Sequence, residues 1–189
     1  MKRLLNSVLA GSFCLTLILA TGSTSQSAPP KDYKDSIFYR FDQNRWADYL
    51  RRYDFAIGSK VVQYAKSKVG QKVGNGECWT LVHDALVYAK AKEIPGQGGI
   101  AVYDFGTPVK VSAVKSGDIL QFWNVKFVAP NGSWSSATQH TVIVSSVKGT
   151  ELTVYEQNSP KGGAVRTNVY NTANLKEGRI DAFRPEFTK

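Results

Sequence analysis

QHTVIVSSVKGTELTVYEQN, residues 139–158, is the stretch whose reading decides the fold. Two runs rich in β-branched residues, Thr141 to Val147 and Leu152 to Asn158, flank Lys148-Gly149-Thr150-Glu151, a hairpin turn signal. A hairpin centred near Gly149 sets Val144 opposite Val154 and Val142 opposite Glu156. Side chains alternate between the two faces of a strand, so Val142, Val144, Leu152 and Val154 share one apolar face. His140, Glu156 and Asn158 then stand on that same face at its open end. Three polar groups at the end of a core face are costly unless they hydrogen-bond one another. A slip of one residue in the turn would flip the strand and remove Glu156 and Asn158 from the group. Gln157, one residue away, points off the opposite face in this register.

Outward from the hairpin, strand patterns recur at about Gly117 to Phe127, Ala164 to Tyr170 and Arg179 to Arg184, and Ala129 to Ala137 reads as a polar surface loop. The N-terminal half has helical periodicity instead. Ser59 can cap a helix to about Val69, with Val61, Val62, Ala65 and Val69 on one face. A second helix begins at Cys78 and continues through Leu81, Val82, Ala85 and Ala89, until Pro95-Gly96 stops it. Helices first and an antiparallel meander after predict an α+β domain of N-terminal helices packed on an antiparallel β-sheet.

Before this domain, Lys2 and Arg3 precede an apolar run from Val8 to Ala20 and a zone of small residues to Ala28. That order predicts a secretory signal peptide over 1–28, too short in its apolar part to be a membrane span. Residues 29–57 form an aromatic lead-in with Trp46, Tyr49, Leu50 and Tyr53 at helical spacing, and 58–189 are expected to form the main domain. The expectation is a secreted protein, extracellular or periplasmic, monomeric and with no stable membrane span. The net charge of +9 comes from scattered lysines and arginines; it favours anionic surfaces, and no nucleic-acid motif accompanies it.

Loss of the leader removes Cys14 and leaves Cys78 as the single cysteine, which excludes an internal disulfide. Such a thiol is an intermolecular link, an inert buried group or a reactive one. Cys78 follows the turn Gly74-Asn75-Gly76-Glu77 at a helix start, where unsatisfied N–H groups and the helix dipole favour a thiolate. Position alone leaves the core and reactive readings even. His140 tips the balance, because a histidine beside a carboxylate and a carboxamide is what a cysteine base needs. His83 lies five residues after Cys78, on another side of the helix, and reads as a surface or boundary residue.

In order along the chain, Gly74-Asn75-Gly76-Glu77-Cys78-Trp79, Ser116-Gly117-Asp118-Ile119-Leu120-Gln121-Phe122-Trp123, Gln139-His140-Thr141-Val142-Ile143-Val144 and Tyr155-Glu156-Gln157-Asn158 resemble a CHAP domain. CHAP is the cysteine- and histidine-dependent amidohydrolase/peptidase family within the papain-like and NlpC/P60-like superfamily. The similarity spans residues 58 to 187; Trp79 directly after the cysteine is more papain-like than CHAP-like. The resemblance implies Cys78 as nucleophile, His140 as base, Glu156 orienting His140 and Asn158 helping to position it. Gln71 is a candidate oxyanion contact by analogy with papain, beside the Cys78 backbone N–H. It implies no cofactor and no metal, and a peptidoglycan or peptide substrate cleaved at an amide bond. A catalytically silent module binding cell-wall peptides or a partner, or a secreted effector amidase, are the alternative readings.

Overall fold

The structure is a computed structural model that describes residues 37–92, 94–96, 102–159 and 161–186. The expected signal peptide, 1–28, lies outside the described residues. The chain divides into two compact units, Met1–Arg40 and Phe41–Lys189, and of the first only the opening of one helix is described. Helix α1 is Ile37–Ser67 and helix α2 is Cys78–Ala89. Six strands follow: β1 Thr107–Val109, β2 Ile119–Val128, β3 Trp134–Lys148, β4 Glu151–Glu156, β5 Arg166–Asn171 and β6 Leu175–Arg184. They form one antiparallel sheet in the order β1-β6-β2-β3-β4-β5. The chain is thus α+β. No helix among the described residues is long and apolar enough to cross a membrane.

Alternation along the strands divides the buried side chains into two sets. Ile119, Ile143 and Tyr155 cluster with Ile57, Val61 and Ala65 of α1 and Leu81, Val82 and Ala85 of α2. Leu120, Phe122, Val142, Val144, Leu152 and Val154 form a second cluster. A buried leucine or valine contributes about 1.5–3 kcal/mol relative to an exposed one, so a one-residue slip of β3 would forfeit both sets at once.

Two sequence expectations are corrected here. Ser59 does not begin a helix; it lies inside α1, which runs unbroken past Gly58. The glycine stays because the helix crosses the turn before β2 at that point: a Cβ on Gly58 would lie 3.0 Å from the Ser116 carbonyl oxygen, and one on Gly117 2.2 Å from the Gly58 Cα. Gly117 also has φ +90°, a conformation that disfavours a side chain. Gly117→Ala therefore combines backbone strain with overpacking and is expected to lower stability by about 3 kcal/mol, read from the denaturant midpoint. The second correction concerns the loop Ala129 to Ala137. Its latter part joins β3, with Trp134 to Ala137 paired to Val128 to Val125, and only 129–133 turn. Serines on an exposed strand end can leave the ladder intact, which polarity of composition does not reveal.

The hairpin reaches the expected register by an unexpected route. At the turn Lys148 pairs with Glu151 and Val147 with Leu152, one residue off a Gly149-centred hairpin. A bulge between Val144 and Ser146 absorbs the difference, so that Val144 pairs with Val154 and Ile143 with Tyr155.

Candidate active site

The loop 70–77 delivers Cys78 to the first position of α2. Gly74 and Gly76 have φ +51° and +91°, and the Asn75 side-chain oxygen accepts from the Glu77 N–H (3.0 Å) and the Thr80 hydroxyl (2.6 Å). Glu77 is the N-cap residue but makes no capping bond with its own side chain. At this end of α2 the first N–H groups have no intrahelical acceptor and the dipole is positive.

His140 on β3 is 6% exposed. Its Nε2 lies 3.0 Å from Glu156 Oε2, which leaves Nδ1 for the Cys78 thiol. Burial pushes the thiol pKa up, but the hydrogen bond and charge of His140, with bonds from Thr141, outweigh it and hold Cys78 below its ordinary value. Burial likewise works against the imidazolium, yet its bonds to Cys78 and Glu156 raise His140 from 6.5 to about 9. The two shifts have one physical meaning: the pair is favoured as thiolate and imidazolium.

Glu156 is 0% exposed and fully paired. Besides His140, Oε2 accepts from the Tyr170 hydroxyl (2.8 Å), and Oε1 accepts from Arg166 Nε (2.9 Å) and Asn168 Nδ2 (2.9 Å), with Arg166 Nη2 in ion-pair contact at 2.8 Å. Burial raises its pKa, and the bonds from His140 and Tyr170, with the charge of His140 and the bond from Arg166, overcome this and keep it ionised. The Tyr170 phenol moves the other way, pushed up by burial and then by the Glu156 carboxylate, so it stays a donor.

Thr141 is a site residue that the sequence reading did not single out. Its backbone and hydroxyl both help to lower the Cys78 pKa, and the hydroxyl donates to Gln121 Oε1 at 2.6 Å. Gln121, wholly buried, is turned that way by its Nε2 bond to the Phe122 carbonyl. One hydroxyl proton cannot serve two acceptors, so the proton committed to Gln121 is not available to the thiol. On the same face, Trp123 is fixed by its Nε1 bond to Asp181 (2.7 Å), by the Arg179 guanidinium 5.3 Å over its ring and by Tyr103 edge-on at 5.5 Å. Cys78 and Glu77 in turn raise the Tyr103 pKa, after burial.

The remaining expected site residues fall elsewhere. Asn158 has φ +67°, which swings its side chain away from the imidazole; its Nδ2 donates to Glu77 Oε2 (2.7 Å) and its Oδ1 accepts from Gly162 N–H (2.6 Å). Gln71 is exposed and its amide lies 3.5 Å from the Ser67 carbonyl at the end of α1, so its side chain is not brought to the thiol; its backbone instead pairs with Val165. Gln157 does point off the face opposite Glu156, but into protein: it is wholly buried against the loop before Cys78. His83 stacks on Trp79 (4.8 Å between centroids) and lies 3.1 Å from Asp84. Asp118 of the Ser116-Gly117-Asp118 motif is structural, bridged by Arg184 through Nε (3.0 Å) and Nη2 (2.9 Å).

Similar solved structures include Ly7917 with the hydrolyzing product of MDP (19% identity, 68% of this chain and 62% of that one, TM-score 0.48) and Ly7917 by itself (21% identity, 67% and 62%, TM-score 0.46). Over 148 residues the chain is 31% identical to altered inheritance of mitochondria protein 3 of Debaryomyces hansenii, covering 68% of this chain but 16% of that protein. This relationship overturns the expectation of a secreted, extracellular or periplasmic protein: the relative is a yeast protein named for altered inheritance of mitochondria. Of the CHAP resemblance, the matching family model supports the cysteine-proteinase fold and not CHAP specifically. The model that matches residues 40–187 is that of the AIM3/BBC1 cysteine proteinase-fold domain, and the chain belongs to that family.

Proposed function

We propose that the chain is a thiol hydrolase of amide bonds, with Cys78 as nucleophile, His140 as its acid–base partner and Glu156 as the anion that orients and charges the imidazole. The observation that carries this reading is the 3.0 Å contact of the buried His140 with the buried Glu156, together with the lowering of the Cys78 pKa by His140. A core that needed only packing would not hold three ionisable groups in one line, each shifted toward its charged form. In the reaction, Cys78 Sγ attacks the carbonyl carbon and the oxygen takes the negative charge. The Cys78 N–H, at the first position of α2, is the oxyanion donor. The imidazolium gives its proton to the leaving amine, which departs as the thioester forms. Neutral His140 then takes a proton from the attacking water, and the tetrahedral intermediate collapses to the carboxylic acid and the Cys78 thiolate, which restores the thiolate–imidazolium pair. Glu156 stays ionised throughout.

Asn158 acts on this scheme through Glu77 rather than through the imidazole. A peptidoglycan substrate draws no support from the family, so the proposal is confined to the reaction class.

The pH profile has a worked sign. The acid limb of kcat/KM follows formation of the thiolate and lies below the range of an ordinary thiol, because the Cys78 pKa is lowered. The alkaline limb falls as the imidazolium, needed to protonate the amine, is lost at about 9. Incubation with a pool of mixed peptides, with new amino termini counted across this range, is expected to show cleavage that Cys78→Ala lacks. Identical counts for the two proteins at every pH would contradict amide hydrolysis.

A further inference from the structure

The end of β4 presents three consecutive residues to the site, and the middle one is used in a way that neither packing nor acid–base chemistry requires. The Gln157 carboxamide is completely buried and its three hydrogen bonds all go to the loop before Cys78. Its Oε1 accepts from the Val73 N–H (2.6 Å), and its Nε2 donates to the Val73 carbonyl (3.1 Å) and to the Glu77 carbonyl (3.0 Å). The Val73 pair copies the two-way bond of strand neighbours, made by a side chain. The Glu77 carbonyl also accepts the Thr80 N–H (3.1 Å), so the same amide holds the first acceptor of α2. Cys78 follows that carbonyl directly. Between the two anchor points lie Gly74 and Gly76, both at positive φ, with one turn bond from the Gly76 N–H to the Val73 carbonyl (2.9 Å).

We infer that Gln157 is a positioning residue for the nucleophile: the end of β4 sets base and nucleophile against each other, Glu156 gripping the imidazole on one face and Gln157 gripping the Cys78 loop on the other. Asn158 adds a third hold, on the Glu77 carboxylate. The inference rests on Cys78 and His140 being the reacting pair. Thiolate and imidazolium stabilise each other only while their separation is fixed, and a displacement of about 1 Å in a reacting group can cost about 10²-fold in rate.

Gln157→Met keeps similar bulk and removes every polar atom. Gln157→Asn keeps the amide but withdraws it by one methylene, and serves if the Met variant does not fold. Leu152→Ala, in the second core cluster, is the control for general destabilisation. The readout is the pH midpoint for alkylation of Cys78 by iodoacetamide, with hydrogen exchange of the Val73 amide measured alongside. Either Gln157 variant is expected to raise the midpoint by about one pH unit, which is tenfold less thiolate on the acid side, and to release the Val73 amide to exchange. Leu152→Ala is expected to lower the melting temperature and leave the midpoint in place. An unmoved midpoint in a folded Gln157 variant, or an equal shift in Leu152→Ala, overturns the positioning role. A Val73 amide that stays protected overturns the clamp itself. The exchange result stands even if the wild-type thiol titrates as an ordinary one, an outcome that would instead remove the catalytic reading.

Discussion

Cys78→Ala is expected to abolish turnover with the fold unchanged, and His140→Ala to lower kcat/KM by about 10²–10⁴. The thiol is half-buried at the start of α2 and anchors neither core, so its loss costs little packing. His140 is a different case: it fills space against Phe122, with ring centroids 6.3 Å apart, and its removal leaves Glu156 Oε2 short of a donor. His140→Gln, closer in shape and still able to donate, separates these effects. It is expected to recover stability and none of the rate, because a carboxamide can fill the site but cannot exchange a proton. Paired measurements of kcat/KM and unfolding midpoint check this; rate recovery in His140→Gln would show that His140 is not the acid–base group.

Glu156→Ala carries the second large effect, and here stability and activity fall together. The substitution strands the His140 imidazolium, the Arg166 guanidinium, the Asn168 amide and the Tyr170 hydroxyl around a vacated buried anion. Breaking a buried ion pair by removing one partner costs about 3–5 kcal/mol; the exposure of Arg166, 46%, argues for the lower end because water can reach that partner. Glu156→Gln keeps the shape and loses the charge. It is expected to reduce the rate less than His140→Ala does, and to bring the alkaline limb down from about 9 toward the ordinary imidazole value of 6.5, since the carboxylate is one of the groups holding it up. An alkaline limb unmoved in Glu156→Gln would mean that Glu156 acts on shape alone.

The residues that sequence made legible share a local origin. Period-two alternation on either side of Gly149 placed His140 and Glu156 on one face, and the structure brings them within 3.0 Å. The turn itself lies one residue off the centre that the alternation implies. A bulge near Ser145 restores the register, and such a bulge leaves no mark in the pattern because Ser145 and Ser146 suit either face. Alternation also put Gln157 on the opposite face. Period alone says which face a residue takes but not what covers it, and the covering loop lies 80 residues or more away in the chain. Arg166, Asn168 and Tyr170 were missed for a related reason: they reach Glu156 from β5, and only the pairing of Glu156 with Arg166 across strands makes their alternation meaningful. Asn158 failed on a single dihedral angle, a left-handed φ that ends the strand's alternation one residue too soon. Fold class needed none of these details, since Ile119, Ile143 and the α2 face are read from apolar spacing alone.

The most direct test of the central claim, a preformed thiolate–imidazolium pair, is the rate of Cys78 alkylation by iodoacetamide at about pH 6, where an ordinary thiol of pKa about 8.5 is almost wholly protonated. The wild-type protein is expected to react at least tenfold faster than a free-cysteine peptide under the same conditions, with His140→Ala slowed to the level of the peptide. Equal rates for wild type, His140→Ala and peptide would contradict the pair and with it the hydrolase.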